Sequence, residues 1–253
     1  MNSLVRIIKK SIAMNKLLVF LMLLCSFSAV AQQTKVYNDP NAKKRDISGN
    51  FTKISVSSGI ELFLTQSNET SLAISVSDDK YEPRFKTEVI DGVLKLYYDN
   101  KGITWKNDKH AKLKAYLSCN SLQGINGSAG AKLVIANEFS FSDLALSFSS
   151  GALMNGKLQA RSLTASVSSG AEINATGVAT KLTVTATSGA AFKGYDLMTE
   201  YCTASANSGA SVKIDVQKEL TASANSGGDI RYKGNATITK VNVNSGGSVK
   251  PGK

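Results

Sequence analysis

Histidine, cysteine and tryptophan are nearly missing from this 253-residue chain, which holds one His, three Cys and one Trp. The single imidazole, His110, cannot form a His-x-x-x-His pair, and no Cys-x-x-Cys occurs, so neither spacing that builds a zinc site is present. There is no Gly-x-Ser-x-Gly elbow and no phosphate-cradling P-loop, and the many serines have no supporting motif around His110. Calcium-binding repeats that carry an aspartate in every coil are absent as well. The acids Glu172, Asp196, Asp215 and Asp229 occupy different slots of the repeat described below, so they read as isolated solubilising charges rather than a catalytic ladder. These absences predict a protein that is not an enzyme, with no catalytic residue, no metal and no cofactor.

Charge is unbalanced but dispersed. The formal net charge is +11, and residues 32–253 retain +7, because Arg6, Lys9, Lys10 and Lys16 lie in an acid-free leader. An excess of this sign can favour anionic glycans, lipopolysaccharide or nucleic acid. Beyond Lys43-Lys44-Arg45, however, the bases are scattered, which reads as a solvated surface, and no nucleic-acid partner is expected. Residues 1–31 read as a signal peptide: a basic start, the apolar run Leu17 to Leu24, then Ala29-Val30-Ala31 ahead of Gln32. Met14 can serve as an alternative start, and Leu24 is too large for a lipidation site at Cys25. The run is shorter than the roughly 20 apolar residues of a spanning helix, and no second one follows. The mature chain is therefore expected to be soluble, without a transmembrane segment, and located in the periplasm, the outer cell envelope or the extracellular space.

What the chain has instead is a repeat. Gly130, Gly151, Gly170, Gly189, Gly209, Gly227 and Gly246 stand 21, 19, 19, 20, 18 and 19 residues apart. They close near-identical phrases such as Leu163-Thr-Ala-Ser-Val-Ser-Ser-Gly and Leu220-Thr-Ala-Ser-Ala-Asn-Ser-Gly. A fixed period in this range marks a solenoid whose coils hide their apolar sides by stacking. Three residues after each glycine stand Leu133, Met154, Ile173, Phe192, Val212, Ile230 and Val249, all apolar. Five and three residues before it lie further inward slots, many of them alanine, so the core is expected to be thin. Each coil is predicted to hold a short strand, a tight Ser-Gly corner where glycine takes φ > 0, and a second short strand. Stacked serine hydroxyls could bond along the corner column. Cys202 fills the slot that Leu163, Leu182 and Leu220 hold in neighbouring coils, so Cys119 and Cys202 are expected to be unpaired buried thiols.

The outward slots form the candidate binding face. Thr164, Thr183, Thr203 and Thr221 stand six residues before the glycine, Ser166, Thr185, Ser205 and Ser223 four before, and Asn207, Asn225 and Asn244 two before. Such residues are ordinary solvent-facing strand formers. Arranged as a flat, nearly uncharged lattice, they also suit a repetitive ligand such as a glycan, or another copy of the chain. A polar stretch from Asp99 to His110 carries Trp105, a second candidate contact or a cover for the solenoid end. The first half is strand-rich: Phe51 to Leu64 alternates around Gly59 as a divergent coil or partner layer, Tyr81-Glu-Pro-Arg-Phe is a turn or short helix, and Asp91-Gly92 marks a hairpin.

The blocks Phe51-x-x-Ile54-x-Val56-x-x-Gly59-Ile60-x-Leu62, then Asp91-Gly92-x-Leu94, then Leu122-x-x-Ile125 followed by Ser-Gly-Ala coils resemble the family called putative auto-transporter adhesin, head GIN domain. The resemblance spans roughly residues 46–250. It implies an all-β, right-handed parallel β-helix or solenoid of ~19-residue coils with a less regular N-terminal β portion. It also implies a secreted or envelope location and a role in adhesion, and it supplies no catalytic residues. The expected organisation is a signal peptide at 1–31, a flexible mature N-terminus at 32–45, the N-terminal β portion at 46–121 and solenoid coils at 122–250. The expected function is a non-enzymatic envelope binding module recognising a glycan or surface partner. A structural, self-assembling envelope protein is the alternative, with a homo-oligomer left open, and a carbohydrate-active β-helix enzyme ranks third.

Overall fold

Short alternating segments become strands throughout the chain. The computed structural model describes residues 37–101 and 111–252. The leader, Trp105, His110 and Lys253 lie outside the described residues. The first six strands are β1 (Lys43–Arg45), β2 (Lys53–Val56), β3 (Glu61–Gln66), β4 (Ser71–Val76), β5 (Phe85–Ile90) and β6 (Val93–Tyr98), with a 3-10 helix at Asp79–Arg84. They are followed by β7 (Leu113–Cys119), β8 (Gly124–Gly127), β9 (Lys132–Ile135) and β10 (Phe139–Phe148). Four long strands come next, β11 (Leu153–Val167), β12 (Glu172–Ala186), β13 (Ala191–Asn207) and β14 (Ser211–Asn225), and then β15 (Asp229–Lys233), β16 (Thr237–Val243) and β17 (Ser248–Pro251).

The coils stack as parallel rungs. Leu133 registers with Met154, Met154 with Ile173, Ile173 with Phe192, Phe192 with Val212, Val212 with Ile230 and Ile230 with Val249. All of these except Val249 are fully buried. The fold is thus the expected all-β solenoid of ~19-residue coils. Extended chain runs almost from corner to corner, further than the two short strands read from the sequence. In β11 the inward side chains are Met154, then Leu158 and Ala160, then Leu163, Ala165 and Val167. Buried alanines (Ala165, Ala186, Ala204, Ala206, Ala222, Ala224) keep the interior thin. Where the step from Gly189 to Gly209 is one residue longer, β13 is irregular against β14 at Gly194/Met198 and Thr199/Tyr201. Met198 is left 51% exposed there.

The corner departs from the sequence reading. Both of its residues are left-handed: Ser188 has φ 54° and Gly189 φ 69°, and the same conformation recurs from Ser58-Gly59 to Ser245-Gly246, with Ala129 in place of serine before Gly130. Two consecutive positive φ values, with the Ala190 N–H donating to the Thr187 carbonyl (3.2 Å), make a type I′ turn. Serine therefore shares the strain that the sequence assigned to glycine alone. The bonds joining one corner to the next are backbone ones: Gly170 N–H donates to the Ser188 carbonyl (3.2 Å) and Gly189 N–H to the Ser208 carbonyl (3.1 Å). Ala171, Ala190 and Ala210, just past the corner, are buried.

The Gly59 segment is a true coil, with Ile54 registered on Ile125 and Leu62 on Leu133. Stacking order differs from chain order, because β6 pairs with β2 and β7 with β3 on the far side of that coil. Beyond them β5 and β4 run antiparallel, and Tyr81, Phe85 and Tyr98 are buried. The hairpin at Asp91-Gly92 is the predicted one, with φ 52° and 72°. This end of the stack is covered. Among the described residues nothing lies over the opposite end: β16 is exposed along its whole length, with Ile238, Val241 and Val243 each over 40% exposed.

Candidate functional site

Strand alternation alone places the lattice. Leu163, Ala165 and Val167 point inward, so Thr164 and Ser166 between them must point out. Register then aligns equivalent residues: Thr164 with Thr183, Thr183 with Thr203 and Thr203 with Thr221, and beside them Ser166, Thr185, Ser205 and Ser223. Rungs lie ~4.8 Å apart and the two columns roughly 7 Å apart, as strand geometry requires. Thr164, Thr183, Thr203, Ser166 and Thr185 are exposed, and Thr221, Ser205 and Ser223 are half-buried. The third column is an amide ladder. Asn225 Nδ2 donates to Asn207 Oδ1 and Asn244 Nδ2 to Asn225 Oδ1, both at 3.1 Å. Asn207 and Asn225 also donate to Ser205 Oγ (3.1 Å) and Ser223 Oγ (3.3 Å).

The lattice residues named from the sequence thus come together on one face, and Trp105 alone lies outside the described residues. Thr221 Oγ1 is within 2.9 Å of Thr239 Oγ1. Among the described residues, no internal hydrogen bond occupies the side-chain hydroxyls of Thr164, Thr183, Thr203, Ser166 or Thr185. They remain free to donate and accept. Charge gathers beside the lattice. The hydrogen bond from Arg161 holds the Asp143 carboxyl below its ordinary range, and Glu200 raises the Lys218 ammonium.

Two further features have no counterpart in the sequence reading. A groove of about 620 Å³ runs past Phe141, Ala160, Ala179 and Met198. On the N-terminal half, Tyr116 is sandwiched between Tyr37 (4.7 Å between ring centres) and Phe63 (5.2 Å), and its hydroxyl donates to Asp39 Oδ2 at 2.8 Å. The coil period could have aligned Phe63 with the later outward slots, but Tyr37 and Tyr116 belong to segments outside the repeat.

Three of the four acids singled out by position are engaged in ion pairs, Glu172 with Lys193 (2.7 Å), Asp229 with Arg231 (2.9 Å) and Asp215 with Lys233 (3.6 Å), and the fourth, Asp196, is exposed. Among the described residues no group of three or more His, Cys, Asp or Glu could hold a metal ion, and no helix is long and apolar enough to cross a membrane. Cys119 and Cys202 are free and buried, and burial pushes both thiols up to about 12.

Corners, coils and capping strands follow the block order that the sequence resembled, and the model of the family described as "putative auto-transporter adhesin, head GIN domain" matches residues 50–236. The chain belongs to this family. The last two strands of the head GIN solenoid, β16 and β17, lie beyond the matched range. No curated protein matches the sequence. A "putative adhesin" from Bacteroides fragilis is 20% identical with a TM-score of 0.76, over 83% of this chain and 95% of that one. A "putative adhesin" from Parabacteroides merdae is 18% identical (TM-score 0.65; 85% and 98% covered). A "putative lipid binding protein" from Parabacteroides distasonis is 17% identical (TM-score 0.60; 85% and 98% covered). At these identities the likeness is one of fold.

Proposed function

We propose that this head GIN protein is a non-enzymatic adhesive module, exported by residues 1–31 to the cell envelope or beyond, that binds a surface glycan through its hydroxyl and amide lattice. The observation that carries the reading is the set of registered hydroxyls Thr164, Thr183, Thr203, Ser166 and Thr185, exposed and without internal bonds among the described residues. A neutral hydrogen bond contributes only about 0.5–1.5 kcal/mol, so one sugar would be held weakly. A regular glycan contacting several rungs at once would be held through multivalency. Adhesin naming within the family agrees with this role.

The test is a glycan array probed with the purified protein and with T183V/T203V, which removes two hydroxyls while keeping shape and strand preference. Array binding that falls in the variant, with an unchanged circular dichroism spectrum, supports the reading. Binding that persists unaltered refutes it.

A second reading rests on the open end. Ile238, Val241 and Val243 lie on the uncovered last coil, whereas the other end is capped. Self-association through that end would stop at pairs, because among the described residues the other end of the stack is capped. Sedimentation should then detect a dimer that V241K abolishes.

A further inference from the structure

Counted from the corner glycine, the fourth residue of the last four coils is Lys193, Lys213, Arg231 and Lys250. Scattered in sequence, these bases are stacked in space: Lys193 registers with Lys213, Lys213 with Arg231 and Arg231 with Lys250. At the rung spacing of ~4.8 Å, four cations fall in single file within about 15 Å. They stand on the run that follows each corner, whereas the hydroxyl lattice stands on the run that precedes it.

Like charges in register on neighbouring strands repel and destabilise the pair. Local acids relieve this in part, through Glu172 on Lys193, Asp229 on Arg231 and Asp215 on the adjacent Lys233. Among the described residues no carboxylate pairs with Lys213 or Lys250. Lys213 instead lies 5.9 Å over the Tyr195 ring, which Lys233 also approaches at 5.7 Å. The column is therefore only half neutralised, with its uncompensated charge at Lys213 and Lys250, and an external anion laid on it would relieve the repulsion.

We infer that this column binds a linear acidic polysaccharide lying along the solenoid axis, with its carboxylates meeting successive cations. Geometry selects that partner. Glu172, Asp215 and Asp229 flank the file and confine the positive potential to a line. A flat anionic bilayer would press its headgroups against those acids, and a single chain need not. Duplex nucleic acid carries a charge every ~1.7 Å, far denser than the file. Single strands require open aromatic faces, and the face of Tyr195 is approached by two ammonium groups.

The experiment titrates the full protein with polygalacturonate at low salt, alongside K213S/K250S, two exposed positions whose removal leaves the core intact. Binding is expected, weakened by 0.1–0.2 M NaCl because the Debye length there is only about 10 Å, and roughly tenfold weaker in the double variant. The melting temperature of that variant should equal or exceed the parent's. T183V/T203V should leave polygalacturonate binding unchanged, and K213S/K250S should leave binding to a neutral glycan unchanged, so this inference and the lattice reading fail separately. No binding at low salt, or binding indifferent to K213S/K250S, overturns the inference. So does column-dependent binding of phosphatidylglycerol vesicles or of an oligothymidylate as strong as that of polygalacturonate.

Discussion

Phe192 offers the sharpest test of the stacked interior. It is fully buried and sits in register between Ile173 and Val212. Truncation to alanine should cost about 3–5 kcal/mol, the usual range for an aromatic removed from a closed core. Two residues on, Gly194 lies against the ring: a Cβ there would stand 2.6 Å from Phe192 Cε1 and 3.2 Å from the Lys213 carbonyl oxygen. Gly194 does not have a left-handed φ, so alanine is allowed by its backbone and the penalty is the clash with the ring. Overpacking of that kind costs roughly 1–3 kcal/mol. With the ring gone, the added methyl enters the void instead. F192A/G194A should thus be less destabilised than the sum of the single variants by about 1–3 kcal/mol, the size of a direct coupling. Urea denaturation of all four proteins, with equal m-values as the control, measures this. Additive losses, or a cost for F192A below about 1 kcal/mol, would refute the placement of this ring over Gly194 and with it the interior column.

Three other outcomes follow from the same geometry. Ser188 is left-handed, a conformation asparagine tolerates and β-branched residues resist, so S188N should raise the melting temperature slightly and S188V should cost about 1–2 kcal/mol. Burial keeps Cys119 and Cys202 protonated, so iodoacetamide should label neither thiol in the folded protein at pH 8 and both in urea. The hydrogen bond from Lys193 holds the Glu172 carboxyl below its ordinary value of 4.5 despite desolvation. Its contribution to stability is therefore complete above about pH 4.5 and lost as pH falls through the depressed value. Melting temperatures of the parent and E172Q should converge on acidification through that window, and a constant gap would count against the pair.

The interior was legible because a constant period keeps equivalent residues in register. Seven apolar residues three after the glycines could only form a column, and Cys202 could be placed by the leucines above and below it. The same arithmetic would have exposed the basic file at Lys193, Lys213, Arg231 and Lys250, which a search for dense runs along the chain passes over. The left-handed serines were hidden, because serine has little preference of its own and only the type I′ turn imposes that conformation. Stacking order in the first half was hidden too. The Gly59 coil meets its neighbours through residues far along the chain, and local alternation does not say which strand lies outermost. The lattice was readable in outline, but the bonding of Asn207, Asn225 and Asn244 into a ladder depends on rotamers that spacing cannot supply.

Among the described residues the stack is covered at one end and bare at the other, so it responds unevenly to tension. Force entering through Val249 meets the outermost rung first, and among the described residues that rung is gripped from one side only. Its detachment would release about 60 Å of slack, from some 19 residues drawn out at 3.3–3.6 Å each, and present the next rung to the same load. A stack that gives way one rung at a time takes up load while its inner rungs stay folded.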